Sequence, residues 1–211
     1  MNKRMILYLV IFGMLFSLGI TVGMFAPSRG ISLPVTALAK TDKTSASLGQ
    51  SSLGKVEISF PFVKQKGYAS NQFAVWIEDA EGNFLKTLYV TNFTARKGYK
   101  TREDSLKTWV KRSKRAEAAK EEIDAVSGAT PRTGKLTYTW NCDDRQGNPV
   151  SPGNYRFFVE GTLFWKSNVI YSGTITVGGK GGASILVKAE YSSSDEKNKN
   201  MIGPVTAVYI H

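Results

Sequence analysis

The sequence predicts a mainly β protein, an antiparallel sandwich of two sheets with one amphipathic helix inserted. Eight short segments alternate apolar and polar residues with the period of two that half-buried strands show. Clusters of Gly, Pro, Asn and Asp bound these segments, as expected at the ends of short strands. The period changes once, between the third and fourth segments, and there it fits a helix.

The N-terminus predicts export. Lys3 and Arg4 precede an uncharged apolar run over residues 5–25, which as a helix is long enough to cross a bilayer. The basic flank keeps its own end in the cytoplasm, so the rest of the chain is exported. Residues 1–27 are a signal peptide, cleaved after Ala39 in an A-x-A site, or a signal anchor retained in the cytoplasmic membrane.

Residues 28–54 are rich in Ser, Thr, Gly and Ala, and they predict a flexible linker. Residues 55–211 form the predicted sandwich domain. Its expected strands cover residues 56–60, 73–77, 84–90, 136–140, 153–160, 169–177, 184–190 and 205–210. The turn over residues 79–83 joins the second and third strands in a hairpin.

The inserted helix is expected near residues 102–122. Thr101 and Asp104 are placed to form a capping box, and an apolar stripe containing Leu106 and Trp109 follows with helical spacing. Between residues 94 and 120 there are ten Lys or Arg and three acidic residues. This basic side is either a solvated helix face or a docking face for anionic lipid, an acidic partner or a phosphate-bearing cofactor. Nucleic acid is not an expected partner, because the domain is exported.

Composition argues against most enzyme classes. The chain of 211 residues contains one Cys and one His, which excludes a disulfide framework, multi-Cys zinc sites and most triad chemistry. No paired acid and base is readable from the sequence, so we expect neither a catalytic constellation nor a metal site. The formal net charge of +11 favours anionic partners without naming one.

A short motif after the helix gives the most specific functional signal. Residues 124–130 read Asp-Ala-Val-Ser-Gly-Ala-Thr. They resemble the flavinylation motif D-x-x-[ST]-G-A-[ST] of FMN-binding domains in sodium-translocating quinone reductases and related electron-transport complexes. The resemblance implies that Thr130 is the phosphoester acceptor for FMN, with Asp124, Ser127, Gly128 and Ala129 as the other matched positions. It also implies a flavin transferase as partner.

The residue types suit this chemistry, because Gly128 and Ala129 leave the approach to the Thr130 hydroxyl open. We expect Gly128 to adopt a positive φ that presents the hydroxyl at a turn. A compatible structural interpretation is a helix C-cap, with Gly128 at the left-handed position and Pro131 preventing further helix. Pro131 departs from the quinone-reductase pattern, where a β-branched residue usually follows.

A second motif predicts a structural element. Residues 140–155 contain Trp140, Asp144, Gly147, Gly153 and Tyr155 in the order of the W-D-G-x-D-x-x-G…G-x-Y segment of Ig-like domains in flagellar hook-capping proteins. The resemblance implies an Ig-like sandwich in which Trp140 is buried. Asn141 and Cys142 stand where that family has Asp-Gly.

Residues 55–211 are similar to an uncharacterised family of predicted periplasmic proteins that often accompany flavin transferases and membrane-bound reductases. This implies an exported, membrane-tethered protein of an extracytoplasmic electron-transfer system. Its partners would be the transferase, a membrane-bound reductase or other redox partner, and the membrane itself through the N-terminal segment. The alternative is a non-redox Ig-like binding or assembly module of the cell envelope.

Overall fold

Two β-sheets and a layer of short helices make up the part of the chain that the structure describes. The structure, a computed structural model, describes residues 53–67, 70–194 and 197–211. The predicted signal segment 1–27 and nearly all of the predicted linker 28–54 lie outside these residues. Within the described ranges, no helix is long and apolar enough to cross a membrane.

The strands follow the predicted order closely. They are β1 (Lys55–Phe62), β2 (Gln72–Asp79), β3 (Phe84–Thr91), β4 (Ser127–Gly128), β5 (Gly134–Trp140), β6 (Gly153–Phe164), β7 (Ser167–Val177), β8 (Ser184–Ile185), β9 (Lys188–Tyr191) and β10 (Thr206–Ile210). Three short α-helices, α1 (Asn92–Ala95), α2 (Lys107–Arg112) and α3 (Lys120–Val126), lie between β3 and β4, and 3₁₀ turns occupy Gly98–Lys100 and Lys199–Met201.

The strands form one sheet of four and one of six. The smaller has the order β5-β1-β10-β8, and the larger has the order β4-β3-β2-β6-β7-β9. Among the described residues, all strand pairs are antiparallel except β3 with β4, which is parallel. The predicted two-sheet, mainly β architecture is therefore confirmed.

One predicted strand is divided between the two sheets. The segment 184–190 was expected to be continuous, but Ser184–Ile185 pairs with β10 and Lys188–Tyr191 pairs with β7. Leu186, at the crossing, is almost fully exposed. The crossing gives each sheet a short edge strand, which offers little backbone for pairing with another chain.

The main core lies between the sheets. Phe73, Val75 and Ile77 of β2 face it, together with Phe157 and Val159 of β6. All five side chains are fully buried. Burying apolar surface on this scale is the main force that holds two sheets face to face.

A second, smaller core lies on the opposite face of the six-stranded sheet. Ala74 and Trp76 of β2 and Phe158 of β6 pack there against Trp109 of α2 and Ile123 of α3. The rings of Trp76 and Phe158 stack with centroids 5.0 Å apart. The helical segments are therefore a third layer, and β2 is buried on both of its faces.

The prediction of one helix over residues 102–122 was wrong. Leu106 and Lys114 both have left-handed backbones, with φ of 48° and 50°, and these interrupt the segment on either side of α2. The predicted capping box does not form, because the Thr101 hydroxyl donates to the Gly98 carbonyl and Asp104 accepts from the Lys166 amide.

The first turn of α2 is capped by side chains from β6 instead. Glu160 accepts the amides of Thr108 and Trp109 at 3.1 and 2.8 Å, and the Thr162 hydroxyl accepts the Leu106 amide at 2.9 Å. Such bonds satisfy the N–H groups that a helix leaves free at its start. The beginning of α2 is therefore set by residues about fifty positions away in the sequence.

Candidate functional site

The flavinylation-like motif lies at an edge of the six-stranded sheet. Ser127 and Gly128 form β4, opposite Val90 and Thr91 of β3. A methyl group added at Gly128 would lie 2.7 Å from Cε2 of Tyr89, closer than real side-chain carbons approach one another. Glycine is therefore required here by the close approach of the Tyr89 ring.

The expected conformation of Gly128 was wrong. It is absent from the residues of positive φ, and it continues an extended edge strand. Ser127, which follows α3, is also extended, with φ of −99° and ψ of 143°. The helix therefore ends because the chain pairs with β3, and it does not end in the expected left-handed glycine cap.

Tyr89 holds the segment that leads to Thr130. Its hydroxyl donates to the carbonyl of Ala129 at 2.6 Å. Its ring stacks on Phe73, with centroids 5.2 Å apart, and packs against Tyr138 at 5.0 Å. Burial raises the pKa of Tyr89, so the hydroxyl stays protonated and able to donate at neutral pH. The sequence pattern assigned Tyr89 only to a strand and did not predict its contact with the motif.

Thr130 lies at the surface of the domain. It is partly exposed, and Ala129 and Arg132 on either side are exposed. Its hydroxyl makes no hydrogen bond to any residue that the structure describes. The hydroxyl is thus neither buried beneath the sandwich nor engaged in holding the fold.

Asp124 lies on α3, where it is paired with two cations. Its carboxylate bonds the Lys120 ammonium one turn earlier and lies 3.7 Å from the Arg96 guanidinium. The bond from Lys120 is the main cause that lowers the pKa of Asp124. The carboxylate is therefore ionised at neutral pH, six residues before Thr130 along the chain.

One buried polar atom of the motif and one of α1 have no hydrogen-bond partner among the described residues. They are Oγ of Ser127 and Oδ1 of Asn92, the first residue of α1. Buried polar atoms in proteins are nearly always satisfied by a protein group or an ordered water, so a water molecule is the expected partner of each. Both are acceptors, and the Ser127 hydroxyl can also donate.

The second motif has the structural role that its pattern predicted. Trp140 is fully buried, and its indole N–H donates to the Asp143 carbonyl at 2.7 Å. Tyr155 packs against it in an edge-on contact, with ring centroids 5.1 Å apart. The Asp144 carboxylate accepts the amides of Gln146 and Asn148, which closes the turn.

Cys142 lies in this turn with φ of 53°, at a position where the resembled hook-capping segment has glycine. Its side chain is fully buried. Burial raises the pKa of the thiol to about 11, so little thiolate forms at neutral pH. Cys142 therefore acts as a small core side chain in a conformation that usually favours glycine.

The family described as predicted periplasmic protein, DUF2271, matches residues 54–192. No curated protein and no solved structure matches the chain. The matched range includes the flavinylation-like segment and the Trp140–Tyr155 turn, and it supports export of the domain. Because the match covers more than half of the sequence, the chain belongs to the DUF2271 family of predicted periplasmic proteins.

Proposed function

We propose that this exported protein is a membrane-tethered electron carrier that bears FMN through a phosphoester on Thr130. One observation carries the proposal: within the match to the flavinylation motif, Thr130 is partly exposed and its hydroxyl makes no hydrogen bond to any described residue. Bound FMN supplies the electron-transfer chemistry, so no catalytic His or Cys is required of the protein.

Esterification requires only the hydroxyl from this chain. The Thr130 oxygen replaces AMP on the FMN phosphorus of FAD, so a P–O bond forms, the pyrophosphate bond breaks and the hydroxyl proton is released. A flavin transferase with its metal ion would catalyse this exchange. Such an enzyme must reach the acceptor, and the surface position of Thr130 supports that access.

The neighbouring residues support a rigid acceptor segment. Gly128 permits the close approach of Tyr89, and Tyr89 holds the Ala129 carbonyl immediately before Thr130. Arg132 is exposed two residues beyond the acceptor and would supply a positive charge to the phosphate. Asp124, exposed in part on α3, would serve recognition by the transferase.

The proposed partners follow from this assignment. Electrons would reach the flavin from a membrane-bound reductase or other redox partner. The N-terminal segment, retained as an anchor, would keep the domain at the outer surface of the cytoplasmic membrane.

The test is the intact mass of the protein after co-expression with a matching flavin transferase in an exported compartment. We expect wild-type protein to gain the mass of FMN less one water. Thr130→Ala should abolish the gain because alanine has no hydroxyl, whereas Thr130→Ser should retain part of it. Thr139→Ala, at an exposed threonine of β5, is the matched control and should be labelled like the wild type.

An unlabelled wild-type protein, beside a control substrate that the same transferase labels, would overturn the proposal. The alternative function would then be a non-redox accessory module that binds envelope proteins. β5 favours this alternative, because it is an edge strand of the four-stranded sheet with exposed alternating side chains.

A further inference from the structure

A cleft rich in cations lies in the helical layer. It has a volume of about 540 Å³ and is bounded by the turns after α1 and α2 and by one side of α3. We call it the basic cleft; its charged lining residues are Arg96, Lys97, Lys100, Arg115, Lys120 and Asp124. Five cations therefore face one carboxylate, and ligand pockets in proteins have volumes in this range.

Arg115 shows that the basic cleft is more than a solvated surface. It carries a positive charge, but only 7% of the residue is exposed. Its Nε donates to the Ala95 carbonyl at the end of α1, at 2.5 Å. Among the described residues, no carboxylate forms an ion pair with this guanidinium. Buried charges are ordinarily paired, so the remaining donors of Arg115 favour an anion in the cleft.

The carboxylate in the cleft does not neutralise it. Asp124 is paired with Lys120 and Arg96, whereas Lys97, Lys100 and Arg115 form no ion pair in the described ranges. The single carboxylate therefore does not balance the five positive charges of the basic cleft. A phosphate monoester carries nearly two negative charges at neutral pH and offers three acceptor oxygens. It therefore matches the cations of the basic cleft better than a ligand with a single carboxylate does.

The rest of the lining is apolar or aromatic. It consists of Tyr99, Ala116, Ala118 and Ile123. This wall could contact a non-polar body attached to the phosphate. We propose that the basic cleft binds a phosphate monoester with an apolar or aromatic body. The proposal does not require flavinylation of Thr130.

Two sources could supply such a group: a soluble aryl phosphate, or phosphatidic acid, the phospholipid whose headgroup is a phosphate monoester. The test is calorimetric titration of the full-length protein, kept in a non-ionic detergent, with phenyl phosphate and with glycerol 3-phosphate. Tighter binding of phenyl phosphate would assign a soluble aromatic ester, and equal or tighter binding of glycerol 3-phosphate would assign the headgroup chemistry. Either result supports the cleft as a phosphate-ester site.

Two double variants make the test specific. Lys97→Gln with Lys100→Gln removes two exposed cations of the cleft and should weaken binding of the better ligand about tenfold. Lys111→Gln with Lys135→Gln removes the same charge outside the cleft and should change binding less than about twofold. Thr130→Ala should bind like the wild type, which separates this proposal from flavinylation.

Absence of binding by the wild-type protein would overturn the inference. Equal weakening by the two double variants would also overturn it, because binding would then reflect only net charge.

Discussion

The two faces of the six-stranded sheet are held by different interactions. On the inner face, β2 contributes Phe73, Val75 and Ile77 to an apolar core shared with the other sheet. On the outer face, the alternate residues of the same strand include Trp76 and Glu78, which contact the helical layer and its polar groups. β2 therefore contributes to an apolar interface on its inner face and to an interface of apolar and polar groups, the mixed interface, on its outer face.

The mixed interface uses buried polar groups to position irregular backbone. Glu160 is fully buried and accepts two amides of α2, while Thr87 accepts the indole N–H of Trp109 at 3.0 Å. Apolar contacts hold layers together without fixing their direction, whereas hydrogen bonds are directional. Short helical segments that are each too short to be stable alone thereby acquire one arrangement.

The largest expected effect comes from the inner core. Trp140→Ala would remove a fully buried indole from the main core, and we expect a loss of about 3–5 kcal/mol in the free energy of unfolding. Chemical denaturation measures this, with exposed Thr139→Ala as the control. If Trp140→Ala cost no more than its control, the inner core would not be the main source of stability.

A smaller effect is expected from the outer face. Glu160→Ala leaves the amides of Thr108 and Trp109 without their acceptor and should cost about 1–3 kcal/mol. Hydrogen exchange should accelerate first at these two amides, because the helical layer loosens before the sheets. Glu57→Ala, in a partly exposed surface pair, should leave both measurements nearly unchanged. Uniform acceleration across both sheets would contradict independent loosening of the layer.

Adding one methyl group at Gly128, on the edge strand β4, should lower the stability of the domain. Gly128→Ala would force the Tyr89 ring to move and should destabilise the domain by about 1–3 kcal/mol. Combining it with Tyr89→Ala should remove most of the added cost, since the clash is with that ring. Additive losses in a double-mutant cycle would place the cause elsewhere.

The smallest expected effect is a pH dependence at the outer face. Burial raises the pKa of Glu160 in the folded protein above the unfolded carboxyl value of about 4.3. Protonation of Glu160 therefore stabilises the fold. This contribution is complete below the unfolded pKa and is lost as the pH rises through the folded pKa. The free energy of unfolding of the wild type, relative to Glu160→Gln, should therefore fall over that window. A difference between the two proteins that is constant with pH would show that Glu160 does not titrate as described.

Local patterns in the sequence identified most of the sheet structure. Period-two alternation found all the long strands, because each has at least one face in an apolar core. The burial of Trp140 was also predictable, since a recognisable turn motif follows it directly. The motif at residues 124–130 was found as a pattern, but the partner that shapes it, Tyr89, is about forty positions earlier and carried no local signal.

What the sequence alone determined is therefore the mainly β class, the strand order along the chain and the position of the motif between helix and strand. Tertiary structure decided where helices begin and end, because Glu160 and Thr162 cap α2 from another strand. It also decided that Gly128 is extended and that Arg115 is buried, because both depend on groups brought close only by folding. The periodicity of side chains along the sequence indicates which face of an element is buried. It does not indicate which distant residue forms a hydrogen bond or an ion pair with that element.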